Sequence, residues 1–333
     1  MRELTALEPE SESRATCATC VLSAVHTGAE RDRPWLFHPD LHCCTFHPNQ
    51  SNFLVGQALE RGGTSEAVIL RRLKNPSGVE AIGINAPEAY SARYAATAHV
   101  AFGRDRALAC PYWVKGELGC GIWRDRGSVC RTWFCKHDQG RRGRQWWSNT
   151  KAVLHIAEYL IATFCMKQGE PPEEGAPVQA WVAWYRWCAE RVRAMTDEET
   201  ETLRVRDLTR RLDELLDRPE LPPIPEIVIP AVSMAEHRAG AVWLAGWSMY
   251  DVMRGPFSIF LFFSKLDGHT PWRQALAETN AEAEEPVTEA LVLDLYRVGG
   301  VRSPEPGDLP GEEDLNPGIV RLGPETWVRF FTE

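Results

Sequence analysis

The stretch Cys110-Pro111-Tyr112-Trp113, then Cys120-Gly121-Ile122-Trp123-Arg124-Asp125-Arg126-Gly127, then Cys130-Arg131-Thr132-Trp133-Phe134-Cys135 decides how this chain is read. Its cysteines are interleaved with Trp, Arg and Gly, and residues 104–150 around them read as irregular structure held by something other than a strand ladder. Thiolates at short, fixed spacings bind soft or borderline metals, or they pair as disulfides.

Further toward the N-terminus the pattern continues with Cys17-x2-Cys20 and the doublet Cys43-Cys44. Of ten cysteines in 333 residues, eight therefore lie in the first 135. Four thiolates make a closed tetrahedral zinc site, and four also hold a [4Fe–4S] cluster. Eight suffice for two sites or one larger cluster. Adjacent cysteines point in different directions in extended chain, so Cys43 and Cys44 can serve two centres. Arg124, Arg126, Arg131 and Lys136 would offset the negative charge of a multi-thiolate centre. His38, His42 and His47 flank the doublet and His137 follows Cys135; the four are read as outer or surface residues, with His42 the foremost candidate to replace a thiolate. Cys165 and Cys188 sit on apolar helical faces and are read as core thiols.

The cysteine segments resemble the YkgJ-type cysteine-cluster family, whose members are described as zinc- or iron-chelating. That family has an early CxxC, a CC pair, and a later segment close to Cys120-x-Ile122-Trp123 and Cys130-Arg131. Two departures stand out: 22 residues separate Cys20 from Cys43, where the family runs CxxCxxCC, and Arg126-Gly127 stands where the family has Arg-Pro. The resemblance covers residues 15–140 and implies metal binding with Cys17, Cys20, Cys43, Cys44, Cys110, Cys120, Cys130 and Cys135 as ligands. Flagellin lysine-N-methylases share the cysteine signature and look like iron–sulfur proteins. That likeness implies an iron–sulfur cluster, a [4Fe–4S] centre foremost, with zinc as the alternative and S-adenosylmethionine as a co-substrate.

Composition bounds the rest. A 44% hydrophobic fraction supplies a core without disulfide staples. Residues 1–150 carry 19 Lys+Arg and 15 Asp+Glu, a charge of +4, and the remainder carries −13. The acidic second half argues against a general nucleic-acid binder. No secretory signal pattern and no apolar run of membrane-spanning length is present, so a cytoplasmic protein without a membrane partner is expected. A reducing compartment favours metal over disulfides.

The expected fold is α+β, mostly helical: a tail at 1–14, a cysteine-cluster domain at 15–150, a helical region at 151–218 and a C-terminal module at 231–333. Val68-Ile69-Leu70 and Ile82-Gly83-Ile84 fit strands or short helices equally. A helix from Lys151 should bury Val153, Ile156, Leu160 and Phe164. Pro177 should open a second, with Trp181, Trp184, Tyr185, Cys188 and Val192 on one side. A third should run from Asp197, with acids in its first turn and Leu208, Leu212 and Leu215 along a face. Residues 219–230 read as a Pro-rich linker. Apolar Phe257–Leu266, an Asp267-Gly268 turn, helices from Pro271 and Thr288 and then strands give 257–302 a winged-helix outline. Strands are expected over 319–331.

Arg141-Arg142-Gly143-Arg144-Gln145-Trp146-Trp147 mixes basic and aromatic residues, a combination that binds single-stranded nucleic acid or an anionic peptide when exposed; a solvated loop is the plainer expectation. No P-loop, GxSxG, HExxH, dinucleotide fingerprint or CxxxCxxC is present. The functional expectation is a metal-binding cysteine-cluster protein, either an enzyme that modifies a peptide or protein, for example by methyl transfer, or a non-catalytic metal-binding or redox-sensing protein.

Overall fold

The computed structural model describes residues 37–114, 119–134, 137, 140–203, 222–232, 234–238, 241–245 and 252–305. Within them the fold is α+β and mostly helical, as expected. By backbone contact the chain divides into two units. The first comprises residues 1–133 and 147–217, the second 134–146 and 218–333.

In the first unit α1 (Asn52–Arg61) and α2 (Gly63–Leu73) form a tight helical pair. The Gly62-Gly63 junction permits it: both glycines take positive φ, at 69° and 57°, which L side chains rarely adopt. The ambiguous run Val68-Ile69-Leu70 is thus helix, buried through Val68 and Ile69. Ile84 instead lies in a strand. A small antiparallel sheet pairs β1 (Gln50–Ser51) and β2 (Val79–Glu80) with the central β3 (Gly83–Ile84). Helix α3 (Glu88–Ala101) follows.

A two-residue-per-strand hairpin, β4 (Trp113–Val114) with β5 (Gly119–Cys120), then sets Trp113 opposite Cys120. A 3-10 turn at Trp123–Asp125 and the short α4 (Ser128–Arg131) lead on. The region expected to be irregular is therefore short pieces of regular structure. It also ends earlier than expected, because α5 spans Gly140–Gln168 rather than opening at Lys151. The Arg141–Trp147 segment is thereby helix and not loop. Trp146 and Trp147 are buried, so neither indole is offered to a nucleic acid or peptide.

The buried face of α5 also differs from expectation. Val153, Ala157, Ile161 and Cys165 are buried, an i, i+4 row, while Ile156 is exposed. Small Ala157 in that row allows close approach, and bulk alone was a poor guide. Helix α6 (Val178–Arg193) buries Trp181, Trp184, Tyr185 and Cys188 as expected, with Val192 partly buried. It packs chiefly on α1. Gly56 makes this contact: a Cβ there would overlap the main-chain oxygen of Tyr185 and crowd Ala189. Trp184 Nε1 donates to Ala81 O at 2.9 Å, and the Tyr185 hydroxyl shares its one proton between Glu80 O and Gly83 O, pinning α6 to the β2–β3 turn. Helix α7 (Asp197–Thr202) opens on a Thr196–Glu199 capping box with acids in its first turn. Leu208, Leu212 and Leu215 lie outside the described residues.

In the second unit β6 (Ile229–Pro230) precedes a three-stranded antiparallel sheet, β7 (Met234–Arg238), β8 (Ala241–Ala245) and β9 (Val252–Pro256), with β8 central. Three helices follow: α8 (Phe257–Lys265), α9 (Trp272–Glu282) and α10 (Glu289–Val298). Their order matches expectation, and the Asp267 carboxylate caps the turn before α9 by accepting from the His269 and Thr270 N–H groups. Strand β10 (Val301–Arg302) pairs with β6. Val242, Leu244, Phe262, Trp272, Val292 and Val301 share one core. The strands expected over 319–331 lie outside the described residues.

Candidate metal centre

Four separate segments carry the described cysteines of the first 135 residues, and each is held by its own main-chain bonds. His42 takes φ 50°. This left-handed residue reverses the chain just before Cys43-Cys44, with His42 N donating to His38 O and Cys44 N to Leu41 O. Cys44 O accepts from Cys110 N at 2.8 Å, which ties the doublet to the second segment. Trp113 N donates to Cys110 O, and the β4–β5 hairpin brings Cys120 back beside that turn. Gly121 lets the hairpin lie on α2: a Cβ there would come within 2.9 Å of Val68 Cγ1. Cys130 sits in α4, its N–H donating to Gly127 O.

The cysteines Cys43, Cys44, Cys110, Cys120 and Cys130 come together. Cys44 feels Cys43, Cys110 and Cys120; Cys130 feels Cys120 and Cys43; Cys110 feels Cys130 and Cys120. Hydrogen bonding with Cys43, then burial, pushes the Cys44 thiol far up from its ordinary value. Burial pushes up Cys110 and Cys120, and raises Cys130 to about 12, with Cys120 adding to it. Those four are therefore neutral thiols near pH 7, and a bound cation is what would ionise them.

The surroundings are cationic. The Arg126 guanidinium stacks 3.5 Å from the centre of the Trp123 ring, and its Nε donates to Trp123 O. Its electrostatic partners are the thiols of Cys120, Cys130 and Cys44. Arg131 donates to the carbonyls of Arg124 and Arg126. Among the described residues neither Arg126 nor Arg131 forms an ion pair. Below α4, the buried Glu158 of α5 accepts from Ser128 Oγ at 2.9 Å, and burial pushes its carboxyl up. Arg61 grips Asp125 through two bonds of 2.7 Å. Gln50 donates to Asp125 O and accepts from Gly127 N, so the turn between Cys120 and Cys130 is braced from α1 and β1.

Behind the hairpin lies a polar group that sequence reasoning missed. Arg72 is 5% exposed, yet none of its described partners is an acid. It donates to His47 Nε2 and to the carbonyls of Asn75, Ser77 and Asn85. His47 in turn accepts no proton readily, because burial and then Arg72 push it down to about 4. Nothing in the local sequence Leu70-Arg71-Arg72-Leu73 marks the second arginine as the buried one, apart from its position on the α2 face shared with Ile69 and Leu73.

Of the expected ligands, Cys17, Cys20 and Cys135 lie outside the described residues. Both ring nitrogens of His38 and of His47 are engaged, His38 with Asp40 N and Arg106 Nε. His42 is buried with its ring 5.9 Å from that of Trp113, and His137 is buried near Phe134. Cys165 and Cys188 are buried in the core, with Cys165 Sγ 3.8 Å from Cys188 O. As placed, no three described His, Cys, Asp or Glu side chains form a group that could hold one metal ion. The five thiols are gathered, not closed around one point. By chemistry the donor set fits a thiophilic metal: soft sulfur donors beside the Arg126 guanidinium, which forms no ion pair among the described residues.

No family model, no curated protein and no solved structure matches this chain. The likeness to cysteine-cluster proteins thus rests on the residues that carry it. No described helix is long and apolar enough to cross a membrane.

Proposed function

We propose that this chain is a cytoplasmic metal-binding protein whose centre is held by cysteines drawn from Cys17, Cys20, Cys43, Cys44, Cys110, Cys120, Cys130 and Cys135. The observation that carries the reading is the convergence of five cysteines from four segments, three of which, Cys44, Cys120 and Cys130, act on the guanidinium of Arg126. Thiols packed so closely repel once ionised, and the fold tolerates that only if a cation shares them. Cys17, Cys20 and Cys135 would complete the donor set.

We assign iron, in an iron–sulfur cluster, ahead of zinc. The preference follows the cysteine signature shared with flagellin lysine-N-methylases, and the guanidinium groups suit the net negative charge of such a centre. An iron–sulfur cluster supplies one-electron transfer. The chain's own part is to hold the thiolates, offset their charge through Arg126 and Arg131, and wall the site with Trp113, Tyr112 and Trp123. The same signature extends the proposal to an enzyme that transfers a methyl group to a peptide or protein, with S-adenosylmethionine as co-substrate. In that reading the winged-helix outline of 257–302 would serve as the peptide-binding module. Its α10 carries Glu289 and Asp294 against one Arg297, which suits protein better than DNA.

Metal and acid-labile sulfide content, measured with an absorption spectrum on protein purified without oxygen, tests the reading. Iron with sulfide and a broad band near ~400 nm, where thiolate-bound clusters absorb, is the expected result. Zinc without colour would make the centre structural. Protein that binds neither metal would overturn the reading.

A further inference from the structure

The side chain of Tyr112 is fully buried, and its hydroxyl has no hydrogen-bond partner among the described residues. A buried hydroxyl left unpaired costs about 1–3 kcal/mol, so such a group asks for an acceptor that is missing. Its surroundings say of what kind. Tyr112 lies between Cys110 and Cys120, in the turn that leads into the β4–β5 hairpin, with its carbonyl accepting from Gly121 N at 2.8 Å. The thiols of Cys110, Cys130 and Cys120 are its electrostatic neighbours, together with Arg72. Arg72 has no acceptor to lend, and the nearby His47 ring has both nitrogens engaged. The neighbouring residue repeats the pattern. Trp113 Nε1 is likewise buried without a partner, and Trp113 pairs across the hairpin with Cys120. Two adjacent residues with unpartnered donors beside a group of thiols are built for something that accepts.

We propose that the Tyr112 hydroxyl donates a hydrogen bond to a sulfur atom of the bound metal centre and so positions and tunes that centre. The inference rests on the cysteine-centre reading above and adds to it. The acceptor chemistry is anionic sulfur, either a metal-bound cysteine thiolate or an inorganic sulfide of a cluster. Hydrogen bonds to such sulfurs stabilise the more electron-rich state of a centre and secure ligand geometry. Tyr112 is a positioning residue in this role. It transfers no proton or electron.

The test compares Tyr112→Phe with Tyr185→Phe. Tyr185 is a second buried tyrosine, but its hydroxyl is already satisfied by Glu80 O and Gly83 O. Three measurements are made on full-length protein: the thermal midpoint without metal, zinc affinity by chelator competition, and the midpoint potential after reconstitution with iron and sulfide. Tyr112→Phe removes no hydrogen bond from the metal-free protein, so its thermal midpoint should stay level or rise, whereas that of Tyr185→Phe should fall. A thiolate acceptor predicts zinc affinity lower by about tenfold in Tyr112→Phe, the scale typical for removal of an outer-sphere partner. A sulfide acceptor predicts unchanged zinc affinity but a more negative cluster potential. If Tyr112→Phe matches wild type in both zinc affinity and potential, this inference is wrong and the metal centre stands. If wild type binds neither zinc nor a cluster, the metal reading fails and this one goes with it.

Discussion

The main-chain N–H of Cys110 donates to the carbonyl of Cys44 at 2.8 Å, joining two thiol-bearing segments by a bond that no side chain provides. Cys110→Ser keeps that bond and removes only the thiol. The variant should therefore fold, with stability within about 1 kcal/mol of wild type, and yet lose metal. Thermal unfolding and metal content on the same sample separate the two effects. Full metal content in the variant would remove Cys110 from the ligand set.

Asp125 braces the turn between Cys120 and Cys130 by accepting two bonds from Arg61, with its own side chain only 2% exposed. Asp125→Ala should cost about 2 kcal/mol, the range for hydrogen bonds to a charged group. It should also lower metal occupancy, because the turn then loses its anchor to α1. Asp125→Asn should retain part of both. Denaturant unfolding and metal analysis check the pair. An alanine variant with native occupancy would show that the turn holds its place without α1.

Gly56 is where α1 meets α6. Gly56→Ala would drive a methyl into the Tyr185 carbonyl and Ala189, in backbone rather than in a flexible side chain. The expected loss is about 3 kcal/mol, at the upper end for overpacking. The melting midpoint should drop by many degrees, whereas Gly175→Ala, at a position with open space, should be limited to the strain of its positive φ.

The helices were legible where one residue type announced a boundary. Pro177, the acidic turn at Asp197 and Thr288 each opened a helix as the sequence implied, because caps act locally. The start of α5 was not legible. Gly140 and Gly143 have low preference for helix, and burial of Trp146 and Trp147 outweighs it. The inward face of α5 was misjudged for a related reason: Ile156 looks like core, but Ala157 and Ile161 are what fit against the neighbouring elements. At the centre, the thiols could be chosen from the sequence because cysteine clusters are rare. Arg72, Glu158 and Gln50 could not, since a buried polar residue is recognised only by partners distant in sequence, such as His47, Ser128 and Gly127.

His47 gives the protein an acid limit. Its imidazole is held down to about 4 by burial first and Arg72 second, against an ordinary value of 6.5. The folded state favours the neutral ring, so the stabilisation is complete above 6.5 and is lost as pH falls from 6.5 toward 4. The full shift corresponds to about 3 kcal/mol. His47→Gln, which can still accept from Arg72, should flatten the stability curve across that window. Urea unfolding at pH 7.5 and pH 4.5 measures it, and equal acid sensitivity in the variant would assign the loss to other groups.

Arg126 has the thiols of Cys120, Cys130 and Cys44 as electrostatic partners, and it is fixed in place by the Trp123 ring and by Trp123 O. A fixed positive charge stabilises ionised thiolates and, in a cluster, the more reduced state. Arg126→Gln should therefore weaken metal binding by about tenfold and make the cluster potential more negative. Arg126→Lys keeps the charge but loses the planar stack, and should recover most of the potential. Trp123→Ala removes the surface the guanidinium rests on and leaves the charge in place. It should fall between the two, because the arginine then spends time away from the thiols. If the glutamine and lysine variants behave alike, the stack rather than the charge is what Arg126 contributes. If neither differs from wild type, the guanidinium is a bystander and the charge of the centre is met elsewhere, with Arg72 the next cation to test.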